Sequence, residues 1–213
     1  MIATEQEARQ FVAELCDAGA MERLEVFVAA LREENERQNL VAAATLDIAW
    51  QRHIADSAQL LAHVPRETAG PWLDLGTGAG LPGLVIAAMR PDMPVKLVES
   101  RKRRVEWLET IRMRLKLPHC EVIGSRLELV ESFPASVISA RAFAPLPRLL
   151  DLSARFSTSD TLWLLPKGRS AAQELSELPN RMRGMFHVEH SQTDAEAGII
   201  VGRLATKAAK GKA

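Results

Sequence analysis

A chain of 213 residues, 47% hydrophobic and 25% charged, suits one α/β domain with a modest extension and carries enough apolar side chains for a sizeable core. Its apolar runs are too short to span a bilayer and its first twenty residues are charged where a signal peptide would be apolar, which excludes membrane and secreted classes and points to a cytoplasmic protein. The net charge of zero is graded, −6 over residues 1–60, +2 over 61–140 and +4 over 141–213 with a short basic tail, so a nucleic-acid partner would meet the middle and C-terminal parts first.

Residues 1–65 read as a helical extension and 66–213 as an α/β domain. Thr4 and Glu7 have capping-box spacing, with Ala8, Phe11, Val12 and Leu15 on one face and Gly19 as terminator. Leu24, Phe27, Val28 and Leu31 mark a second amphipathic helix, whose Glu33, Glu34 and Glu36 form a solvated face. Cys16 and Cys120 have no ligand-like spacing and read as two reduced thiols. A third helix begins near Asp47 and turns Ile48, Ile54, Ala58 and Leu61 inward. It contains Arg52-His53-Ile54-Ala55-Asp56-Ser57, where the default is an Arg52–Asp56 surface pair and a packed imidazole.

The stretch from Trp72 to Gly83 reads as a strand, a tight glycine turn and a helix running from Leu81 to Met89, with Pro82 in its first turn. Gly76, Gly78 and Gly80 allow positive φ and a close ligand approach. Gly78-x-Gly80-x-x-Gly83 also has dinucleotide spacing, so NAD or FAD stays open on the glycines alone. Asp74, two residues ahead of the first glycine, would repel a pyrophosphate and suits the ammonium of a methionine moiety. The pattern therefore resembles the first motif of S-adenosylmethionine-dependent methyltransferases. Val95 to Glu99 is a second strand ending in a carboxylate that can accept both ribose hydroxyls.

Arg101 to Lys116 carries +5 in sixteen residues, over a buried stripe of Val105, Leu108, Ile111 and Leu115. This is either an ordinary soluble face or a phosphate-binding one. Residues 121–124, 137–140 and 161–165 are further strands, with helices over 147–155 and 171–178. Leu127 and Glu128 fall where such folds contact adenine, and Arg141 falls beyond the carboxyl end of a strand, where ligands bind. Pro166-Lys167-Gly168-Arg169 caps the fifth strand with two cations at the same edge. Residues 185–190 and 199–204 close the sheet as an antiparallel pair, and His187 and His190 lack a clustered third ligand, so no metal is expected.

The chain resembles the glucose-inhibited division protein B family of ribosomal RNA small subunit methyltransferases. The resemblance rests on Asn39-Leu40, Arg52-His53-Ile54-x-Asp56-Ser57, Asp74-x-Gly76-Thr77-Gly78-x-Gly80-Leu81-Pro82-Gly83, Ser125-Arg126, Ile138-Ser139-x-Arg141-Ala142-Phe143 and Lys167-Gly168. Ala79, Glu99 and the inserted Ala140 depart from the family pattern. The resemblance implies a Rossmann-like class I fold, mostly parallel with one antiparallel strand, and methylation of guanine N7 in the decoding-region hairpin of 16S rRNA. It implies S-adenosyl-L-methionine held by Asp74, Gly76, Gly78, Gly80, Leu81, Glu99, Leu127, Glu128 and Arg141, the last also positioning the base. Candidate RNA contacts are Arg52, His53, Arg101, Arg103, Arg104, Arg112, Lys116, Lys167 and Arg169. The expected protein is a monomer acting on 16S rRNA, the small subunit or an assembly intermediate, with no membrane partner. A non-catalytic ribosome-binding or assembly module that keeps a cofactor fold is the alternative.

Overall fold

The computed structural model describes residues 1–204; the basic tail lies outside them. Thr4 starts helix α1 (Glu5–Leu15) through the expected reciprocal cap, its hydroxyl accepting from the Glu7 N–H while the Glu7 carboxylate accepts from the Thr4 N–H. The helix stops at Leu15, which is exposed, and not at Gly19. Asp17 is the reason: its carboxylate accepts from the Ala20 N–H at 2.7 Å and caps a new helix, α2 (Ala18–Asn35), with Gly19 in the first turn. Leu24, Phe27, Val28 and Leu31 of α2 are buried, as their spacing predicts.

The third helix departs furthest from its expected form. It starts at Trp50 and is π-helical over Trp50–Ala55, α-helical over Asp56–Ala58 (α3) and 3-10 over Gln59–His63. Ile48 falls in the turn ahead of that start and is exposed, and Trp50 fills the core instead. Its first N–H groups are capped from another helix: Glu5 of α1 accepts from Trp50 and Gln51 at 3.1 and 2.7 Å.

The sheet elements follow in the order β1 (Trp72–Leu75), α4 (Gly83–Met89), β2 (Val95–Glu99), α5 (Lys102–Arg114) and β3 (Cys120–Gly124). Then come β4 (Ala135–Ala140), α6 (Leu146–Ser153), β5 (Ser157–Gly168), α7 (Ala171–Ser176), α8 (Asn180–Arg183), β6 (Phe186–His190) and β7 (Gly198–Gly202). Across the sheet the strands lie β3-β2-β1-β4-β5-β7-β6. Strands β1 to β5 pair in parallel, and β7 runs antiparallel to both of its neighbours, which is the single reversed strand expected. Residues 166–168 belong to β5 instead of capping it, because β7 continues the ladder alongside them. Helix α4 begins at Gly83, two residues later than expected, and α8 has no counterpart in the sequence reading.

Alternation along the strands builds two cores. Trp72, Val95, Leu97, Val137 and Leu164 share one with the N-terminal helices, α4 and α5. Leu73, Leu75, Val98, Ile138 and Trp163 share the other with α6 and α7. Within α5 the buried stripe runs through Trp107, Leu108 and Ile111 to Leu115, whereas Val105 is only half-buried. Strand order reverses between β1 and β4, and in such a sheet a crevice opens beyond the carboxyl ends at that point. No helix among the described residues is long and apolar enough to cross a membrane.

Candidate functional site

The glycine turn lies at the end of β1, with Gly76, Gly78 and Gly80 at φ of 61°, 58° and 98°. Gly76 is doubly constrained, since a Cβ there would also stand 2.4 Å from the Phe143 ring. Gly83 needs closeness of another kind. Its N–H donates to Asp74 at 3.0 Å, and a Cβ would meet Leu97 at 2.2 Å. The turn is thus clamped from below by β1 and covered by the segment after β4.

Asp74 is completely buried, and both of its oxygens are engaged. Oδ1 accepts from the Ser139 hydroxyl at 2.6 Å, Oδ2 from Gly83, and Ser139 in turn accepts from the Trp72 indole N–H at 2.7 Å. Burial pushes the carboxyl up to about 6, against the downward pull of its hydrogen bonds, that from Ser139 foremost. Ser139 belongs to the Ile138–Phe143 motif, but its pairing with Asp74 is not legible there, because strand register alone sets the two opposite each other.

Glu99 closes the other side. Oε2 accepts from Gly78 N–H at 3.1 Å, and Oε1 accepts from Ser100 and Arg101 N–H at 2.8 and 2.9 Å. Arg104 stands 4.0 Å from Oε2. Glu99, Ser100, Arg101 and Arg104 line a cleft of about 260 Å³ together with Gly76, Ser125, Leu127, Ala142 and Phe143. Leu127 is therefore on the cleft, whereas Glu128 is exposed and does not line it. Leu81 is buried in the core beneath the turn. Ala142 holds a φ of 53°, a costly conformation for a residue with a Cβ, at the point where the chain leaves β4 for the cleft.

Arg141, just ahead of it, is mostly buried and places Nη1 3.8 Å from Asp56 Oδ2. Asp56 is not half of a surface pair: it is buried, and Arg52 approaches the same oxygen at 3.7 Å. His53 is buried too. Its Nε2 lies 2.8 Å from the Thr45 hydroxyl, which itself donates to the Ala42 carbonyl at 2.6 Å, so Nε2 carries the proton and Nδ1 is a bare acceptor. Burial, reinforced by Arg141 and Arg52, pushes the imidazole down to about 3 and keeps it neutral. Tertiary packing has brought the Arg52–Ser57 motif to the end of β4, an encounter not visible in the sequence.

The other candidate cations divide. Lys167 is no surface group: its Nζ donates to the Ala144 carbonyl at 2.9 Å and pairs with Glu174 at 2.8 Å, fastening the segment that carries Arg141 and Phe143. Arg169 is exposed and paired with Glu196 at 2.5 Å. On α5, Arg112 pairs with Glu109 at 2.8 Å, and Arg103, though exposed, donates to the Arg37 carbonyl at 3.0 Å. Arg101 and Lys116 are exposed at the two ends of the helix, and Arg101 together with Arg104 lines the cleft.

Comparison with known proteins gives a consistent result. The family model described as GidB, rRNA small subunit methyltransferase G, matches residues 20–197. A protein of Erythrobacter litoralis named ribosomal RNA small subunit methyltransferase G is 66% identical over 203 residues, covering 95% of this chain and 98% of its own. One of the same name from Novosphingobium aromaticivorans is 58% identical, covering 95% and 90%. Among solved structures, a SAM-dependent methyltransferase from Aquifex aeolicus superposes with a TM-score of 0.56 at 13% identity, over 78% of this chain and 95% of that one. That likeness concerns the fold, which is the class I methyltransferase arrangement.

Proposed function

This chain belongs to the rRNA small subunit methyltransferase G family, and on that premise we propose that it transfers a methyl group from S-adenosylmethionine to N7 of one guanine in the decoding-region hairpin of 16S rRNA. The observation that carries the cofactor reading is the cleft beyond β1, β2 and β4, a glycine cradle with the anchored Glu99 carboxylate in its wall. The fit is steric as well as polar. A side chain at position 76 would intrude on the Phe143 ring that borders the same cleft. A ligand there meets bare backbone at Gly76 and Gly78, ribose hydroxyls meet Glu99, and Leu127 offers an apolar wall to adenine. Asp74, buried beneath the turn with both oxygens engaged, holds the turn in shape through Gly83 and Ser139. When bound, the cofactor supplies an electrophilic methyl on a sulfonium.

Guanine N7 carries an in-plane lone pair, so no side chain has to remove a proton before attack. The protein's task is alignment, which is worth a large part of a barrier of this kind. Arg141 performs it by holding a phosphate or guanine O6. Attraction to N7 itself is not its role, because transfer leaves positive charge on the ring. The RNA approaches over the exposed ends of α5 and the rim near Arg52, with naked rRNA, the small subunit or an assembly intermediate as substrate.

The test is mass spectrometry of 16S rRNA from cells with and without the protein. Loss of a single methyl, mapped to one guanine and restored by the parent gene, is expected. Unchanged methylation, with the protein still bound to ribosomal particles, would instead favour a non-catalytic binding module.

A further inference from the structure

Asp56 is a buried anion that the chemistry above leaves unused. A carboxylate withdrawn from water costs several kcal/mol unless paired and hydrogen-bonded, so its partners disclose its task. Oδ1 accepts from the Gln59 side-chain amide at 3.0 Å and from the Thr193 hydroxyl at 2.8 Å. Both donors are themselves fixed: Gln59 Oε1 accepts from Gln192 N–H at 2.8 Å, and Thr193 is hydrogen-bonded to Ser191 at 3.0 Å. The carboxylate is therefore fixed in rotation by the connection between β6 and β7. Its other oxygen, Oδ2, is turned to Arg52 and Arg141.

The distances to those two cations are informative. At 3.7 and 3.8 Å neither guanidinium hydrogen-bonds to Oδ2, and Arg141 makes no side-chain hydrogen bond among the described residues. A guanidinium locked in a bidentate pair would have spent its donors. This one is attracted to a fixed anion while its donors remain available. The backbone that carries it is set independently by the left-handed Ala142 and by Lys167 on the Ala144 carbonyl. What remains to be oriented is the side chain. His53, neutral, adds no charge, and Arg52 and Arg141 face Asp56 together while the buried Asp74 carboxylate adds a weaker attraction on Arg141.

We infer that Asp56 is a positioning residue for Arg141, and that through it the irregular third helix and the β6–β7 connection complete the target-base site. This inference rests on the proposed role of Arg141 beside the base. It makes Asp56 act on the alignment of the base, with RNA and cofactor affinity largely untouched.

Single-turnover methylation of 16S rRNA or small subunits lacking the modification, at saturating S-adenosylmethionine, tests it with Asp56→Asn, Arg141→Ala and the double variant. Asn keeps an acceptor for Gln59 and Thr193 and removes the charge. Asp56→Asn is expected to slow the transfer step about tenfold, equivalent to about 1.4 kcal/mol, with RNA and cofactor dissociation constants within about twofold of the parent. The double variant is expected to be no slower than Arg141→Ala alone, because the function of Asp56 disappears with the group it positions. If Asp56→Asn fails to fold, Asp56→Ser, which also removes the charge and keeps a small acceptor oxygen, replaces it in the same cycle. A parent rate for the Asp56 variant, or losses that multiply in the double variant while Arg141→Ala is slow, overturns the inference and leaves the role of Arg141 standing. A parent rate for Arg141→Ala overturns both.

Discussion

Replacing Ser139 with Ala tests the buried relay beneath the glycine turn. Trp72, Ser139 and Asp74 are all fully buried, and the Ser139 hydroxyl links the other two, accepting from the indole at 2.7 Å and donating to the carboxylate at 2.6 Å. Removing one oxygen breaks two hydrogen bonds and strands both partners away from water. A hydrogen bond to a charged group contributes about 1.5–3 kcal/mol, and an orphaned neutral donor costs about 1–3 kcal/mol. The lower limits sum to about 2.5 kcal/mol, so a loss of about 3 kcal/mol is expected, or roughly 6–12 °C in Tm for a chain of this length. The loss depends on pH, and its sign follows from Asp74. The folded carboxyl titrates near 6, above its ordinary 3.8, so this group's contribution to stability is fully present below about 3.8 and declines as pH rises through about 6. Without the Ser139 hydroxyl the folded value rises further, and the variant's deficit is larger at pH 8 than at pH 5. Urea denaturation followed by far-ultraviolet circular dichroism at the two pH values measures both effects. A deficit under about 1 kcal/mol at pH 8, or one equal at the two pH values, would refute the assignment of the relay.

Two further outcomes are expected. Glu99→Gln removes charge-assisted acceptance at the cleft wall and should weaken S-adenosylmethionine binding by ~1.5–3 kcal/mol in calorimetry; an unchanged dissociation constant would place the ribose elsewhere. On α5 the pairing pattern ranks the cations: Arg103→Gln with Lys116→Gln should lower the log–log salt slope of RNA binding by about two, and Arg112→Gln, already paired with Glu109, should change it far less. Equal slopes in all variants would return this face to an ordinary solvated surface.

Local chemistry made much of the molecule legible in the sequence. Thr4 and Glu7 cap a helix because their spacing closes a short ring of hydrogen bonds, and four apolar residues of α2 are buried because they share one face. The glycine turn between an apolar strand and an apolar helix is readable for the same reason: positive φ is a property of a residue and its immediate neighbours. The places of Glu99 and Arg141 at strand ends follow from the strands and the way an α/β sheet presents its carboxyl edge.

What depended on distant parts of the chain could not be read in advance. Ser139 meets Asp74 only through the β1–β4 register, and Glu5 caps a helix forty-five residues away. The third helix begins after Ile48, leaving it exposed, and its changing pitch accompanies the burial of Trp50 and Asp56. Lys167 reads as a cation at an open edge until the Ala144 carbonyl and Glu174 are placed around it. A charged residue's role is set by its partners and its distance from water, and both are decided by packing between segments far apart in the chain. The sequence by itself determined which residues could bend, cap, alternate or carry charge; the tertiary structure decided which charges face one another, because burial and Coulomb energy depend on position in space and not on position in the chain.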